Sequence, residues 1–331
     1  MLFRSTIDPK VELISIIQHV SIYGEDLGFL LNNSEFSYSR DMRTHFNEFK
    51  SHNAVQFFNS ICLKPRMYNF TAPPTSMLYL DNCFKLRNDL LLDESLIKRI
   101  AGLDSFKIFI EYLRDFSKVS SFEDKFKSNV PYYKGLIFDV QKNLEHFDYV
   151  KELESFYGVK NKSYNLILVP LYGHVGYGPF LTMKNGEKHI YNIMGPQKVE
   201  EGKLIFGDEA YFKYLQLHEF SHSFVNPLTD KHWNLLEPYF SNFSNIPERA
   251  RNNVCGDWQE CINEHIVRSV TTYLAFQESQ EIGQNALQSE KERGMIYLDA
   301  LLEKIYEYEK QRTTYPTFES YYEILIEVFE K

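Results

Sequence analysis

Apolar and polar positions over the first 157 residues repeat mostly with a helical period. A helix is predicted from Val11, directly after Asp8-Pro9, because proline is favoured at the first helical position. Residues 42–61, 90–116 and 132–157 carry further helical patterns. Residues Lys64 to Thr75, with three prolines, are predicted to form a loop.

The pattern changes near residue 158. An apolar run at 164–169 predicts a buried strand, and 180–183 and 189–194 predict two strands around the turn Asn185-Gly186. A helix is expected to begin about Asp208 and to stop at Asn226-Pro227, since proline disfavours helix in the residue before it. Long helices return after residue 258.

The predicted class is therefore α+β and mainly helical. We expect a helical N-terminal part over residues 1–157, and a second part over 158–331 in which a small sheet precedes the helix from Asp208.

Composition narrows the range of functions. With 44% hydrophobic and 24% charged residues, the 331-residue chain matches a soluble globular protein. Its net charge of −9 argues against nucleic acid as a partner, because phosphate binding needs clustered Lys and Arg. No apolar run is long enough to span a membrane, and the opening residues, with charge and Pro9, do not resemble a signal peptide. The compartment is left open, since a signal removed beforehand is compatible with this sequence.

The four cysteines, Cys62, Cys83, Cys255 and Cys261, contain no CxxC pair, so a structural zinc ribbon is not expected. Cys255 and Cys261 are close enough in sequence to pair. Because the second lies within a predicted helix, free and mostly buried thiols are the favoured expectation.

The segment His218-Glu219-Phe220-Ser221-His222 carries the strongest chemical signal. Two histidines four residues apart lie on one face of a helix, where both can ligate one Zn²⁺. Glu219 would then lie beside the metal and take a proton from a zinc-bound water. The alternative is a pair of core histidines on a buried helix.

Glu264 is the best candidate for the third ligand, because its carboxylate lies in a mainly apolar helix and needs a partner there. The alternative is a simple ion pair with Arg268, one turn later. Glu260, His265 and Asp230 are rival ligands.

Two weaker hypotheses concern substrate. Gly176, Tyr177 and Gly178 are predicted to hold a peptide along an edge strand, or else to form an ordinary glycine turn. Tyr273 and His232 are candidates for stabilising the oxyanion of a tetrahedral intermediate.

The HExxH helix and the later Asn263-Glu264 resemble the gluzincin group of zinc metallopeptidases, over about residues 160–280. This resemblance implies that His218, His222 and Glu264 are ligands and that Glu219 is the general base. It also implies a zincin-like fold with a sheet over the HExxH helix and a helical C-terminal lobe. The chain departs from that pattern at Arg268, where an acidic residue is usual, and in the 42-residue gap between His222 and Glu264, with 233–251 as the insertion.

A second likeness spans nearly the whole chain. The sequence resembles an uncharacterised bacterial family regarded as zincin-like, through Asp8-Pro9, Val11-Glu12-Leu13, His52-Asn53-Ala54-Val55, Ala72-Pro73-Pro74, Tyr177-Gly178, His218 to Pro227, Glu264 to Arg268 and Tyr315-Pro316-Thr317-Phe318. The resemblance implies that both parts of the chain belong together, leans towards export, and names no substrate.

The leading hypothesis is a zinc-dependent peptidase that cleaves peptide or protein substrates with water activated by Glu219. A zinc hydrolase of another amide or ester would use the same residues. The other hypotheses are a zincin-fold binding module without activity, and a helical protein in which the motif is fortuitous.

Overall fold

The computed structural model describes residues 3–31, 36–63, 67–144 and 147–330. They form two compact units, Met1–Phe147 with Asn161–Phe212, and Asp148–Lys160 with Lys213–Lys331. This division differs from the expected boundary between residues 157 and 158, because the strands group with the N-terminal helices. Helices far outnumber strands over the described ranges, which confirms the α+β, mainly helical class. No helix of these ranges has the length and apolar character needed to cross a membrane.

The first unit contains a mixed five-stranded sheet. Its strands are β1 (Phe3–Thr6), β2 (Ser163–Leu168), β3 (Gly176–Tyr177), β4 (Phe180–Thr182) and β5 (Lys188–Met194). Strand β1 pairs in parallel with β2, and β2 in parallel with β5, while β3 and β4 run antiparallel to β5. The three strands expected from the apolar runs are confirmed as β2, β4 and β5, whereas β1 was not predicted.

A separate two-stranded hairpin follows the sheet. It consists of β6 (Lys198–Glu200) and β7 (Lys203–Ile205), paired antiparallel. Its two turn residues, Glu201 and Gly202, both have positive φ (49° and 72°), as a tight two-residue hairpin turn requires.

Eight helices belong to the described residues of the first unit. They are α1 (Pro9–Val20), α2 (Ser37–Phe46), α3 (Asn53–Ile61), α4 (Ala72–Met77), α5 (Glu94–Arg99), α6 (Leu103–Val119), α7 (Phe122–Ser128) and α8 (Val130–Lys142). Helix α1 is confirmed but begins at Pro9, two residues before the predicted start at Val11, with the Asp8 carboxylate accepting from the backbone N–H groups of Lys10 and Val11. Its residues from Lys10 to Val20 are buried.

The loop predicted from Lys64 to Thr75 is wrong at its end, where α4 begins at Ala72. Pro73 and Pro74 lie in the first turn of α4. Backbone N–H groups there have no partner within the helix, so the N–H that proline lacks is not needed. Lys64, Pro65 and Arg66 lie outside the described residues.

The described residues of the second unit form helices joined by turns and loops, and no strands. Its helices are α9 (Tyr149–Tyr157), α10 (Glu209–Lys231, whose first four residues belong to the first unit), α11 (Trp233–Leu236), α12 (Glu248–Asn253), α13 (Trp258–Glu278), α14 (Gln280–Arg293), α15 (Leu298–Lys310) and α16 (Phe318–Ile326). Short 3₁₀ helices occur at Asn47–Phe49 in the first unit and at Glu237–Asn245 and Glu327–Glu330 in the second. Helix α13 packs against α14 and α15. Helix α9 packs against α10 through the stacked rings of Tyr157 and Phe224, whose centroids are 4.2 Å apart.

Helix α10 does not stop at Asn226-Pro227, so that prediction is wrong. The helix continues to Lys231 with Pro227 inside it. Contacts beyond the proline hold it: Thr229 is fully buried, donates a hydrogen bond to Asn263 Oδ1 (2.5 Å) and lies 2.6 Å from the Tyr322 hydroxyl. These tertiary contacts outweigh the local preference against helix before proline.

Cys255 and Cys261 form a disulfide, so the expectation of free thiols is wrong for this pair. Cys255 lies just before α13 and Cys261 is in its first turns, with the two Cα atoms 4.9 Å apart. That spacing lies within the range a disulfide spans. Cys62, which is buried, and Cys83, which is exposed, are free.

Candidate metal centre

The two motif histidines meet because α10 is a regular helix at this point. Asp208 caps its start by accepting from the Tyr211 N–H (2.9 Å). His218 and His222 are four residues apart, so their side chains lie on one face. Their Nε2 atoms are 3.2 Å apart, and both side chains are largely buried.

Helix α13 carries the third group, Glu264. The Asp257 carboxylate caps this helix by accepting from the Glu260 N–H (2.8 Å). Glu264 Oε1 lies 3.3 Å from His222 Nε2, and Oε2 lies 3.7 Å from His218 Nε2. The ligand atoms of His218, His222 and Glu264 all lie within 4.8 Å of one another, and this group can hold a metal ion.

The spacing of these atoms fits zinc. For ligands about 2.0–2.1 Å from a tetrahedral ion, neighbouring ligand atoms are about 3.3 Å apart. The observed separations of 3.2 Å between the imidazoles and 3.3 Å from His222 to Glu264 match that edge, and the 3.7 Å from His218 to Glu264 is longer than it. Two imidazoles and one carboxylate form the donor set of a three-ligand catalytic zinc site.

A neighbouring side chain orients His222. Its Nδ1 lies 3.2 Å from Asn226 Oδ1, one turn later on α10, so Nδ1–H donates there and Nε2 is left to face the other ligands. The ring of Tyr214, one turn before His218, stacks on that histidine with centroids 5.8 Å apart. His218 Nδ1 is buried and has no hydrogen-bond partner among the described residues.

Burial and charge set the protonation of the ligands. Burial lowers the pKa of His218 well below its usual value, which leaves that imidazole neutral. Burial would also lower the pKa of His222, but the hydrogen bond and charge of Glu264 outweigh it and raise the pKa to about 9. Burial would raise the pKa of Glu264, yet the two histidines and Arg268 hold it well below its usual range. Glu264 is therefore an anion, and a proton on His222 competes with a metal.

Glu219 is adjacent to this group and is not one of its members. Its side chain is buried, and burial raises its pKa to about 7 against the opposing charge of His222. Successive helical residues are about 100° apart around the axis. The side chain of Glu219 therefore leaves α10 about 100° around the helix axis from that of His218.

The rival ligands all have other partners. Glu260 accepts a hydrogen bond from the Gly256 N–H (2.7 Å) at the start of α13. Asp230 accepts from the Gln259 side chain (2.5 Å), and His265 Nδ1 donates to the Cys261 carbonyl (2.7 Å). Among the described residues, the group that can hold a metal is the one predicted.

The two candidates for oxyanion stabilisation are not brought to the ligands. Tyr273 lies nine residues beyond Glu264, about 13.5 Å along the helix axis, and packs against Phe156 and Tyr306. His232 lies ten residues beyond His222, just after the end of α10, which is about 15 Å along the helix axis. Its Nδ1 lies 3.4 Å from Glu323 Oε1. Nine or ten residues of helix place both side chains well over two turns from the ligand atoms, so their role with the oxyanion stays a prediction.

Gly176 and Tyr177 form β3, which pairs with β5 and lies at an edge of the sheet, as the sequence suggested. Gly178 follows directly, outside the strand. Their role in binding substrate stays a prediction.

Three residues around the ligands were not identified from the sequence. Asn226 and Tyr214 each lie one turn from a motif histidine, a spacing that would have singled them out. Glu290 contacts Arg268 from α14, 22 residues later, and no local spacing signals that contact.

The fold and this converging set of side chains define a mainly helical α+β protein with a candidate metal centre. The chain belongs to the family described as "Domain of unknown function (DUF4932)", whose model matches residues 4–328. No curated protein matches the chain, and no solved structure matches it either.

Proposed function

We propose that this chain is a zinc-dependent hydrolase that cleaves peptide bonds. The observation that carries the proposal is the set of ligand atoms from His218, His222 and Glu264, spaced like the edge of a zinc tetrahedron, with Glu219 beside it. Three protein ligands leave a fourth position open, which is the arrangement of catalytic sites and not of closed structural ones. Bound Zn²⁺ would supply a Lewis acid that polarises a substrate carbonyl and lowers the pKa of a water.

The side chains of this chain supply the remaining chemistry. Glu219 takes the proton from the attacking water and delivers it to the leaving nitrogen, so that one carboxylate acts as base and then as acid. Asn226 fixes the ring of His222 by holding its Nδ1. The aromatic ring of Tyr214 covers one face of His218, which limits rotation of that ligand.

Peptide bonds are proposed as the substrate because the motif and its later glutamate resemble metallopeptidases. The same residues serve the hydrolysis of another amide or an ester, so the assay includes such substrates. The acidic balance of the chain, −9, is unfavourable for polyanionic substrates.

The first test is the metal content of the purified protein by elemental analysis. We expect about one zinc per chain in wild type and none in His218→Ala. His232→Ala is the matched control, because this histidine contacts Glu323 and Tyr322 instead of the ligands. Absence of zinc from the wild type after zinc is supplied would refute the proposal, as would zinc retained by His218→Ala.

The second test separates binding from turnover. Glu219→Gln keeps all three ligands, so we expect full zinc content and a rate lower by about 10²–10⁴-fold on a quenched fluorescent peptide library. Retained activity would remove Glu219 from its proposed role. A wild type that binds zinc but cleaves no peptide, amide or ester would be a binding module.

A further inference from the structure

Arg268 is bonded directly to the proposed ligand Glu264. Its Nε donates to Glu264 Oε2 at 2.8 Å, across one turn of α13. The other carboxylate oxygen, Oε1, is the one 3.3 Å from His222 Nε2. The two oxygens of Glu264 therefore have different surroundings. Oε2 is held by the guanidinium and lies 3.7 Å from His218 Nε2, whereas Oε1 lies closer to an imidazole, that of His222.

A second set of bonds holds the arginine itself. Arg268 Nη1 donates to Glu290 Oε2 (2.9 Å) and to the Tyr214 hydroxyl (3.1 Å), and that hydroxyl donates to Glu290 Oε1 (2.7 Å). Arg268 and Glu290 are 9% and 2% exposed. Fixed on both sides and away from water, the guanidinium has little freedom to leave Glu264.

We propose that Arg268, fixed by Glu290 and Tyr214, is a positioning residue that makes Glu264 a one-oxygen ligand and so keeps a coordination position open for substrate. Sharing Oε2 between the guanidinium and a divalent ion would bring two cations onto one oxygen, which is unfavourable. This inference rests on the proposed metal function. It also gives a reason why the chain has Arg268 at the position where gluzincins have an acidic residue.

A merely structural role makes a different prediction. If Arg268 only fastens α13 to α14, its removal lowers the free energy of unfolding and leaves the coordination of a bound metal unchanged. If it positions Glu264, its removal lets the second oxygen approach the metal. The number of ligands around the metal therefore distinguishes the two roles.

The experiment uses the full chain with Co²⁺ in place of zinc. Four-coordinate Co²⁺ absorbs visible light more strongly than five- or six-coordinate Co²⁺, so the spectrum reports the number of ligands. In Arg268→Met we expect a weaker visible band and a zinc affinity lower by about 10–100-fold, the usual effect of removing a partner of a ligand. Arg268→Lys keeps the charge with a single donor group, and is expected to recover part of the band.

Arg312→Met is the matched control. Arg312 belongs to the same unit and donates to the backbone carbonyls of Phe156, Ser155 and Pro316, with no bond to a proposed ligand. We expect it to lower the denaturation midpoint while leaving the Co²⁺ spectrum as in wild type.

Tyr214→Phe is a second, milder variant, used if Arg268→Met does not fold. It removes the hydroxyl that joins Arg268 to Glu290, and a smaller change of the band in the same direction is expected. Folded variants of Arg268 or Tyr214 with the wild-type spectrum and affinity would overturn the positioning role alone. A wild type that binds neither Co²⁺ nor Zn²⁺ would overturn the proposed function, and this inference with it.

Discussion

Replacing Glu12 by Gln is expected to stabilise the protein at high pH and not at low pH. The Glu12 carboxyl is 1% exposed on α1, and its Oε1 accepts a hydrogen bond from the Tyr38 hydroxyl (2.5 Å). The hydroxyls of Tyr132, Tyr133 and Tyr172 also interact electrostatically with it. Burial raises the pKa of Glu12 from 4.5 to about 7, although the Tyr38 bond lowers it in part.

The size of the effect follows from this shift. Between pH 4.5 and about 7 the folded state keeps a proton that the unfolded state releases, so stability falls as pH rises through that window. A shift of about 2.5 units, at about 1.4 kcal/mol each, amounts to about 3 kcal/mol lost by pH 8. Glutamine has nearly the same shape, still accepts from Tyr38 and does not titrate, so the variant avoids this loss.

The assay is urea denaturation of wild type and Glu12→Gln at pH 5, 6, 7 and 8. The part of the difference in unfolding free energy that depends on pH should grow from about 1 kcal/mol at pH 5 to about 3 kcal/mol at pH 8. His19, whose pKa burial lowers to about 4, has the opposite slope below pH 6.5, but it is common to both proteins and cancels. Glu48→Gln, at an exposed position, is the control and should give no such growth. A difference that stays constant from pH 5 to 8 would refute the reasoning.

Three further predictions concern the metal centre. Glu264→Ala should lower zinc affinity, measured by competition with a chromophoric chelator, far more than Glu260→Ala; the reverse order would move the ligand by one turn. Asn226→Ala should weaken zinc binding by about 10–100-fold, because His222 loses the partner that orients it, and an unchanged affinity would show that this bond is dispensable. Free zinc at about 1,000 times its dissociation constant should add about 4 kcal/mol to the unfolding free energy of the wild type. A scan of melting temperature against zinc checks this, and His218→Ala should show no such rise.

Local periodicity was sufficient to predict the ligand pair and several strands. The four-residue spacing of His218 and His222 fixes their common face in any helix. Apolar runs bounded by glycine and polar residues were enough for β2 and β5. The mainly apolar pattern of α13 around Glu264 was enough to favour this carboxylate over Glu260 as the third ligand candidate.

The failures have a common physical cause in contacts between distant parts of the chain. Helix α10 passes Pro227 because Thr229 is held by Asn263 and Tyr322 from other helices. Glu290 reaches Arg268 from α14. Such contacts are decided by packing in three dimensions, which sequence spacing does not encode.

The parallel pairing of β1 with β2 has a consequence for biosynthesis. Phe3 pairs with Tyr164, 161 positions later (164 − 3). At about 5–20 residues per second, the ribosome needs roughly 8–32 s to deliver that partner. During this interval the backbone donors and acceptors of β1 have no strand to pair with, and a chaperone or a temporary neighbour has the opportunity to hold them. Closing so long a loop makes this edge of the sheet a late event in folding.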